Sequence, residues 1–176
     1  MPRLQVIEAG QAEGAAAATL KSAPINIFKG LANSPVVMEG LMALSGSFGK
    51  SGALTPAEAE VVMLRVSERN GCGYCLAAHT KIASGHGIDG ETALKFRRGE
   101  GGSDRDQALM AFVDAISANG GWIDDDQFEA FKAAGFGDDA VVEVVALLAW
   151  MTFTNTFNHV NQTELDFPAV PEPAGA

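Results

Sequence analysis

The 176-residue sequence predicts an all-α protein of eight or so helices forming a single domain, on three observations. Apolar positions recur at helical spacing, no stretch shows a convincing strand alternation, and capping residues, prolines and glycines bracket most apolar segments. The clearest start is Thr55-Pro56-Ala57-Glu58. There Thr55 can cap, Pro56 presets the first turn, and Glu58 sits at the capping-box position.

In chain order, residues 1–20 read as an extended N-terminal arm running into the small-residue run Ala15 to Ala18, where a short helix can begin. Ser22-Ala23-Pro24 resembles a helix start, with Ile25, Ile27, Phe28 and Leu31 as the apolar face, and Asn33-Ser34-Pro35 ends it. Ser34 can cap the next helix, which Val36, Val37, Leu41, Met42, Leu44 and Phe48 carry into the glycine-containing break between Gly46 and Gly52. Behind Thr55, the residues Val61, Val62, Leu64, Arg65 and Val66 build a helix that ends near Asn70-Gly71, a pair tolerant of left-handed backbone. Another helix from about Gly73 to Ser84 stops at Gly85-His86-Gly87, a turn expected to expose His86. Asp89 begins a short helix through Phe96. Ser103 caps a longer one with Leu109, Met110, Phe112, Val113 and Ile116 inward, and Asp124 caps one carrying Phe128 and Phe131 as far as Gly135. The last helix, about Asp138 to Phe157, is apolar over most of its circumference, which places it in the core or at a subunit interface. Trp122 and Trp150 read as packing residues. Residues 35–120 hold the core, and residues 160–176, with Phe167-Pro168 and Pro171-Glu172-Pro173, form an irregular tail.

Hydrophobic residues make up 47% of the chain and charged residues 19%, too apolar for disorder. So few charges also favour surface buried between subunits, hence a homo-oligomer. The formal charge is −10 with no basic run beyond Arg97-Arg98, a poor match to nucleic acid or an anionic membrane. The N-terminus lacks the apolar region of a signal peptide. The segment Val141 to Phe153 contains Glu143 and falls short of a membrane span. A cytoplasmic protein is expected, and there an isolated Cys-x-x-Cys is catalytic or metal-binding more often than structural.

The chemistry concentrates in Gly71-Cys72-Gly73-Tyr74-Cys75-Leu76-Ala77-Ala78-His79, which holds both cysteines of the chain. At about 100° per residue, Cys72, Cys75 and His79 fall on one face of a helix. Thiols react as thiolates, so a redox cysteine needs a lowered pKa or a nearby base. Cys72 at the helix N-terminus feels the favourable end of the macrodipole. His79, one turn beyond Cys75, can exchange a proton with it, and a second thiol can resolve a sulfenic acid into a disulfide. Glu60 lies on the preceding helix, and a tight turn at Asn70-Gly71 would fold it back onto the motif as a proton relay or leave it an exposed acid.

Glu60, eleven intervening residues, Cys72-x-x-Cys75, three residues and His79 together resemble the signature of the alkylhydroperoxidase (AhpD-like) branch of the carboxymuconolactone decarboxylase superfamily. The Asn33-Ser34-Pro35 segment, the Thr55-Pro56 helix and the stretch from Asn158-His159 to Asp166-Phe167-Pro168 fit the same order. The resemblance implies an all-helical AhpD-like fold, a homo-oligomer, and reduction of organic hydroperoxides without an organic or metal cofactor. It implies Cys75 as the attacking thiol, Cys72 as the resolving thiol, Glu60 and His79 as the proton relay, and an external dithiol as reductant, a lipoyl-bearing partner in the best-known branch. Helix-dipole reasoning alone favours Cys72 as the more acidic thiol.

One departure stands between the cysteines, where the well-characterised peroxidases resemble Cys-x-His-Cys and this chain has Tyr74. With an unperturbed pKa of about 10, tyrosine can donate a hydrogen bond but is no base near neutrality. His159, beside Asn158 and Asn161, could reach the site or simply sit at a favourable helix C-terminus. Four alternatives remain, one of them a purely structural disulfide or a pair of inert core thiols. A zinc site of Cys72, Cys75, His79 and Glu60 is disfavoured because structural zinc draws on two distant pairs. Lactone decarboxylation is disfavoured by the paired cysteines, which the decarboxylases lack. A non-catalytic redox sensor or binding module would use the same disulfide as a switch.

Overall fold

A computed structural model describes residues 1–172; Pro173 and the rest of the tail lie outside the described residues. Among the described residues the chain is all helical and contains no strand: α1 (Gly14–Ser22), α2 (Asn26–Leu31), α3 (Pro35–Ser45), α4 (Pro56–Arg69), α5 (Gly73–Ser84), α6 (Gly90–Arg97), α7 (Asp104–Ala118), α8 (Asp125–Ala133) and α9 (Asp138–Asn161). The small-residue run forms a whole helix rather than the end of an arm, so α1 begins at Gly14 within the segment read as extended. Ser22-Ala23-Pro24 does not start a helix: Ser22 ends α1, and α2 opens at Asn26. Its first N–H finds a tail carboxylate instead of a local cap, as Asn26 N donates to Asp166 Oδ2 at 2.8 Å.

Helix α4 is the axis of the molecule, packed against α5, α6, α7 and α9. It starts as its sequence dictates. The Thr55 hydroxyl accepts from the Glu58 N–H at 3.2 Å, and the Glu58 carboxylate accepts from the Thr55 N–H at 2.8 Å. Burial raises the Glu58 pKa, but these bonds and the Arg105 guanidinium at 2.6 Å outweigh it and leave the carboxyl below its usual range. Polar side chains inside the bundle need partners, and each charged residue of α4 has one. Arg65 pairs with Asp114 at 2.8 Å, Glu68 with Arg97 at 2.8 Å, and Glu60 with His79 at 2.9 Å. Around these, Phe131 stacks on Phe112 (centroids 4.1 Å) and on Phe136 (4.3 Å), joining α8 to α7.

Helix α9 runs one turn further than its apolar stretch suggests, to Asn161, and so reaches 24 residues. By length and composition alone it could cross a membrane. In the fold it lies against α4, α3, α5 and α7, and its last turns bury Thr154, Asn155, Asn158 and Asn161. The N-terminal arm runs beside its C-terminal end, Arg3 N donating to Asn161 O at 2.8 Å. Trp150 packs edge-on against Phe48, centroids 6.1 Å apart. Trp122, expected as a packing residue, is 85% exposed, because it sits on the glycine turn after α7 rather than on a helix face.

Arg97 is the most enclosed charge in this frame. It pairs with Glu68 and donates to the carbonyl of Pro171 at 2.8 Å, pinning the tail to the body. Removing one partner of such a pair leaves an uncompensated buried charge. The Arg97→Ala variant is expected to lose about 3–5 kcal/mol of unfolding free energy. Urea denaturation measures this, and a loss under about 1 kcal/mol would show that the pair adds little.

Candidate redox site

The turn between α4 and α5 is built by Gly71, whose φ of +68° lies in the left-handed region that a Cβ disfavours. It reverses the chain so that Cys72 N donates to Ser67 O at 3.0 Å and becomes the N-cap of α5. Cys75 then lies in the first turn, and His79 one turn on. Both cysteines are free thiols and deeply buried, Cys72 1% and Cys75 3% exposed.

The fold-back places Glu60 beside the motif, so the exposed-acid reading does not hold. Glu60 is 4% exposed, and its Oε2 lies 2.9 Å from His79 Nδ1. With Glu60 ionised, its carboxylate accepts from Nδ1–H, which assigns the lone pair of the neutral ring to Nε2. Glu60, Cys75 and His79 line one cavity of about 290 Å³, with Phe28, Phe48, Met63, Tyr74, Trp150 and Phe167 among its walls. Cys72 does not line it. The helix-face argument put Cys72, Cys75 and His79 together, but Cys72 precedes the first helical residue and sits off the cavity.

The two sulfurs are electrostatically unequal. Cys72 is drawn down from the ordinary thiol range to about 6, first by the hydrogen bond from the Cys75 side chain. Burial opposes this, while the Cys75 backbone, the nearby His159 charge and the Asn158 amide assist. Cys75 is pushed up, first by that same hydrogen bond to Cys72, then by burial and by the neighbouring charge. The pair thus shares one proton, with the charge resting on Cys72 and the proton on Cys75.

Tyr74 points away from the relay. Its hydroxyl donates to Asp166 Oδ2 at 2.6 Å and accepts from Ile27 N at 3.4 Å, while its ring meets Phe167 edge-on at 5.9 Å. Burial and the Asp166 carboxylate push its pKa up, so it stays a neutral donor. His159 is exposed and sits beside the Gly71 carbonyl, with Nε2 3.3 Å from that oxygen, outside the cavity. His86 is exposed as expected. Among the described residues no three His, Cys, Asp or Glu side chains are arranged to hold a metal.

Two contributors had no role at the site assigned from the sequence. Asn158, 4% exposed, donates from Nδ2 to Cys75 Sγ at 3.2 Å. Asp166 and Phe167 bring the tail over the cavity. The asparagines had a legible signal: Asn155, Asn158 and Asn161 recur every three residues on the otherwise apolar α9, a polar stripe that must bury against something polar.

The sequence profile of the carboxymuconolactone decarboxylase family matches residues 35–98, which span α3 to α6 and include Glu60, both cysteines and His79. That match covers the helices that carry the motif and is a resemblance of this segment to the family. No curated protein matches it. The fold is AhpD-like. An alkylhydroperoxidase AhpD core structure, an uncharacterized peroxidase-related protein from Ralstonia eutropha, superposes with TM-score 0.82 at 22% identity, covering 94% of this chain and 92% of that one. A protein of unknown function from Agrobacterium tumefaciens, proposed as an antioxidant defence protein AhpD, gives 0.67 at 25% identity over 76% of this chain and 92% of that one. A variant of the debrominase Bmp8 in complex with 2,3,4-tribromopyrrole gives 0.74 at 15% identity over 94% of each chain.

Because the Cys75 side chain is the first cause of the lowered Cys72 pKa, the thiols are expected to alkylate with a midpoint near 6 in the parent. In Cys75→Ala that midpoint should move towards the ordinary thiol value of about 8.5. Iodoacetamide rates across pH measure this. A parent midpoint above about 8 would contradict the shared-proton arrangement.

Proposed function

We propose that this protein is a thiol-dependent peroxidase that reduces organic hydroperoxides, and that it works as a cytoplasmic homo-oligomer. The family match over residues 35–98 and the shared fold support the coarser statement, a peroxidase-related or decarboxylase-like role. The observation that carries the finer one is the division of the two sulfurs. Cys75 lines an apolar cavity with a carboxylate–imidazole pair, and Cys72 waits off that cavity.

In the proposed cycle a hydroperoxide enters with its organic group against Phe28, Phe48 and Trp150. The Cys75 proton passes to Nε2 of His79, which Glu60 orients and stabilises as it charges, and Cys72 stays a thiolate. The Cys75 thiolate attacks the distal oxygen, the O–O bond breaks, and the leaving alkoxide takes a proton from the His79 side to depart as alcohol. The Cys72 thiolate then attacks the Cys75 sulfenic acid, closing the disulfide as the OH leaves with a proton as water. An external dithiol, such as a lipoyl-bearing protein, returns both thiols by exchange. Two electrons leave the cysteine pair and two reduce the peroxide. Oligomer formation is supported by the outer face of α9, where Val142, Val145 and Val160 stand exposed on the protomer.

A second reading is favoured by the aromatic walls of the cavity, Phe48, Trp150 and Phe167 among them, which suit an aromatic substrate. The same dithiol could reduce an aryl bromide to the arene, releasing bromide and a proton as the disulfide forms. The debrominase shares the fold.

Pre-reduced protein mixed with cumene hydroperoxide is expected to lose both thiols and to turn over repeatedly with dihydrolipoamide. Cys72→Ser should stop as a sulfenic acid at Cys75, and His79→Ala should slow the reaction about a hundredfold or more. Thiol loss no faster than that of free cysteine would overturn the peroxidase. A single oxidation without turnover would identify a sensor, and bromide release from a bromopyrrole would identify the second reading.

A further inference from the structure

The amide of Asn158 is the least explained group near the sulfurs. Its Nδ2 donates to Cys75 Sγ at 3.2 Å, the side chain is almost wholly buried, and its Oδ1 has no hydrogen-bond partner among the described residues. A buried acceptor without a donor carries a desolvation cost of about 1–3 kcal/mol, so its position calls for a reason. Asn155, one turn earlier on α9, is fixed by Asn70 Nδ2 at 2.8 Å and is itself within reach of Ser67 Oγ at 3.5 Å. The asparagine stripe is therefore held by α4 and its turn, and Asn158 is carried on a helix already locked against the motif.

We propose that Asn158 is a catalytic residue of the cysteine pair: its N–H steadies the Cys75 thiolate, and its free carbonyl oxygen accepts the O–H of the Cys75 sulfenic acid. This rests on the peroxidase reading and adds a group that the Glu60–His79 relay does not supply. The geometry suits both states of the sulfur. A primary amide presents a donor and an acceptor on one rigid plane. Oδ1 shares its carbon with the Nδ2 that meets Sγ, so the donor and the unpartnered acceptor belong to the same buried amide. Hydrogen bonds to charged acceptors are roughly twice as strong as neutral ones, and this one acts in a site shielded from water. The amide takes up no proton at any stage; it stabilises first an anion and then an O–H donor. The sulfenic acid would thus be held until Cys72 attacks.

The test uses the full-length protein with Cys72→Ser, so that Cys75 is the single thiol, and compares Asn158 with Asn158→Ala and the similar-sized, uncharged Asn158→Leu. The groups able to titrate around Cys75, namely Glu60 on α4, Tyr74 and His79 on α5, His159 on α9 and Asp166 in the tail, are common to all three. Iodoacetamide alkylation across pH is expected to show the Cys75 midpoint raised in both variants, with the rate at pH 7 down about tenfold in each. After one equivalent of hydroperoxide, the sulfenic acid trapped by dimedone should decay several-fold faster in both. A purely structural asparagine would leave midpoint and lifetime unmoved, and that result overturns the proposal. Asn158→Leu keeps the volume close, removes the amide without adding charge, and decides the question should Asn158→Ala not fold. The alkylation arm uses no peroxide, so its outcome is separate from whether the parent is a peroxidase.

Discussion

The hydrogen bond between Glu60 and His79 ties the central helix to the motif helix, and the site is arranged around it. A carboxylate this deep in a bundle needs a partner, and the imidazole is the one α5 offers. Supplying it fixes how α4 and α5 lie against each other across the Gly71 turn. The consequence is directional: Nδ1 is engaged, Nε2 is left for the cavity, and Cys75, one turn earlier, opens into the same space. The other charges of α4 follow the same logic. Glu58, Arg65 and Glu68 each meet a partner from α6 or α7, so a helix with five charged residues in its fourteen can run through the core. Structural ion pairing and chemical orientation are here one solution to a single desolvation problem.

The cysteine pair shows how one helix start can make two similar groups behave differently. Cys72 caps the helix, where the Cys75 side chain, the Cys75 backbone and His159 all favour negative charge. Cys75, inside the first turn and facing apolar walls, keeps the proton. Dipole reasoning from the sequence pointed to Cys72 as the more acidic thiol, and the electrostatics agree. The family resemblance pointed to Cys75 as the thiol that meets substrate, and its place on the cavity supports that. The two statements are compatible, because acidity is set by the helix end while access is set by the cavity, and one shared proton connects them.

Local rules made much of this legible. The Thr55 box, the left-handed Gly71 and the Glu60–Cys72–Cys75–His79 spacing depend on neighbours in sequence or on one tight turn. What escaped depends on distant chain. The first N–H of α2 is capped by Asp166, 140 residues away, so no local cap could mark Asn26 as a start, and Ser22-Ala23-Pro24 drew the boundary falsely. Trp122 looked like core by residue type, yet a glycine turn holds it outside. Asn158 was noticed only as a neighbour of His159, although the residue that reaches a sulfur is the asparagine.

Tyr74 draws these threads together. At a position where related peroxidases resemble a histidine, it gives its hydroxyl to Asp166 and its ring to Phe167, so a residue of the motif holds the tail across the cavity. Arg97 secures the tail again further on, through the Pro171 carbonyl. A histidine at this position could exchange protons; a tyrosine with its pKa driven upward cannot. The substitution therefore exchanges a titratable group for a wall. Beside that neutral tyrosine, the titratable groups lining the cavity are Glu60, Cys75 and His79. In a site with fewer titratable groups, charge on sulfur must be stabilised by fixed dipoles, and α9 places an amide against Cys75.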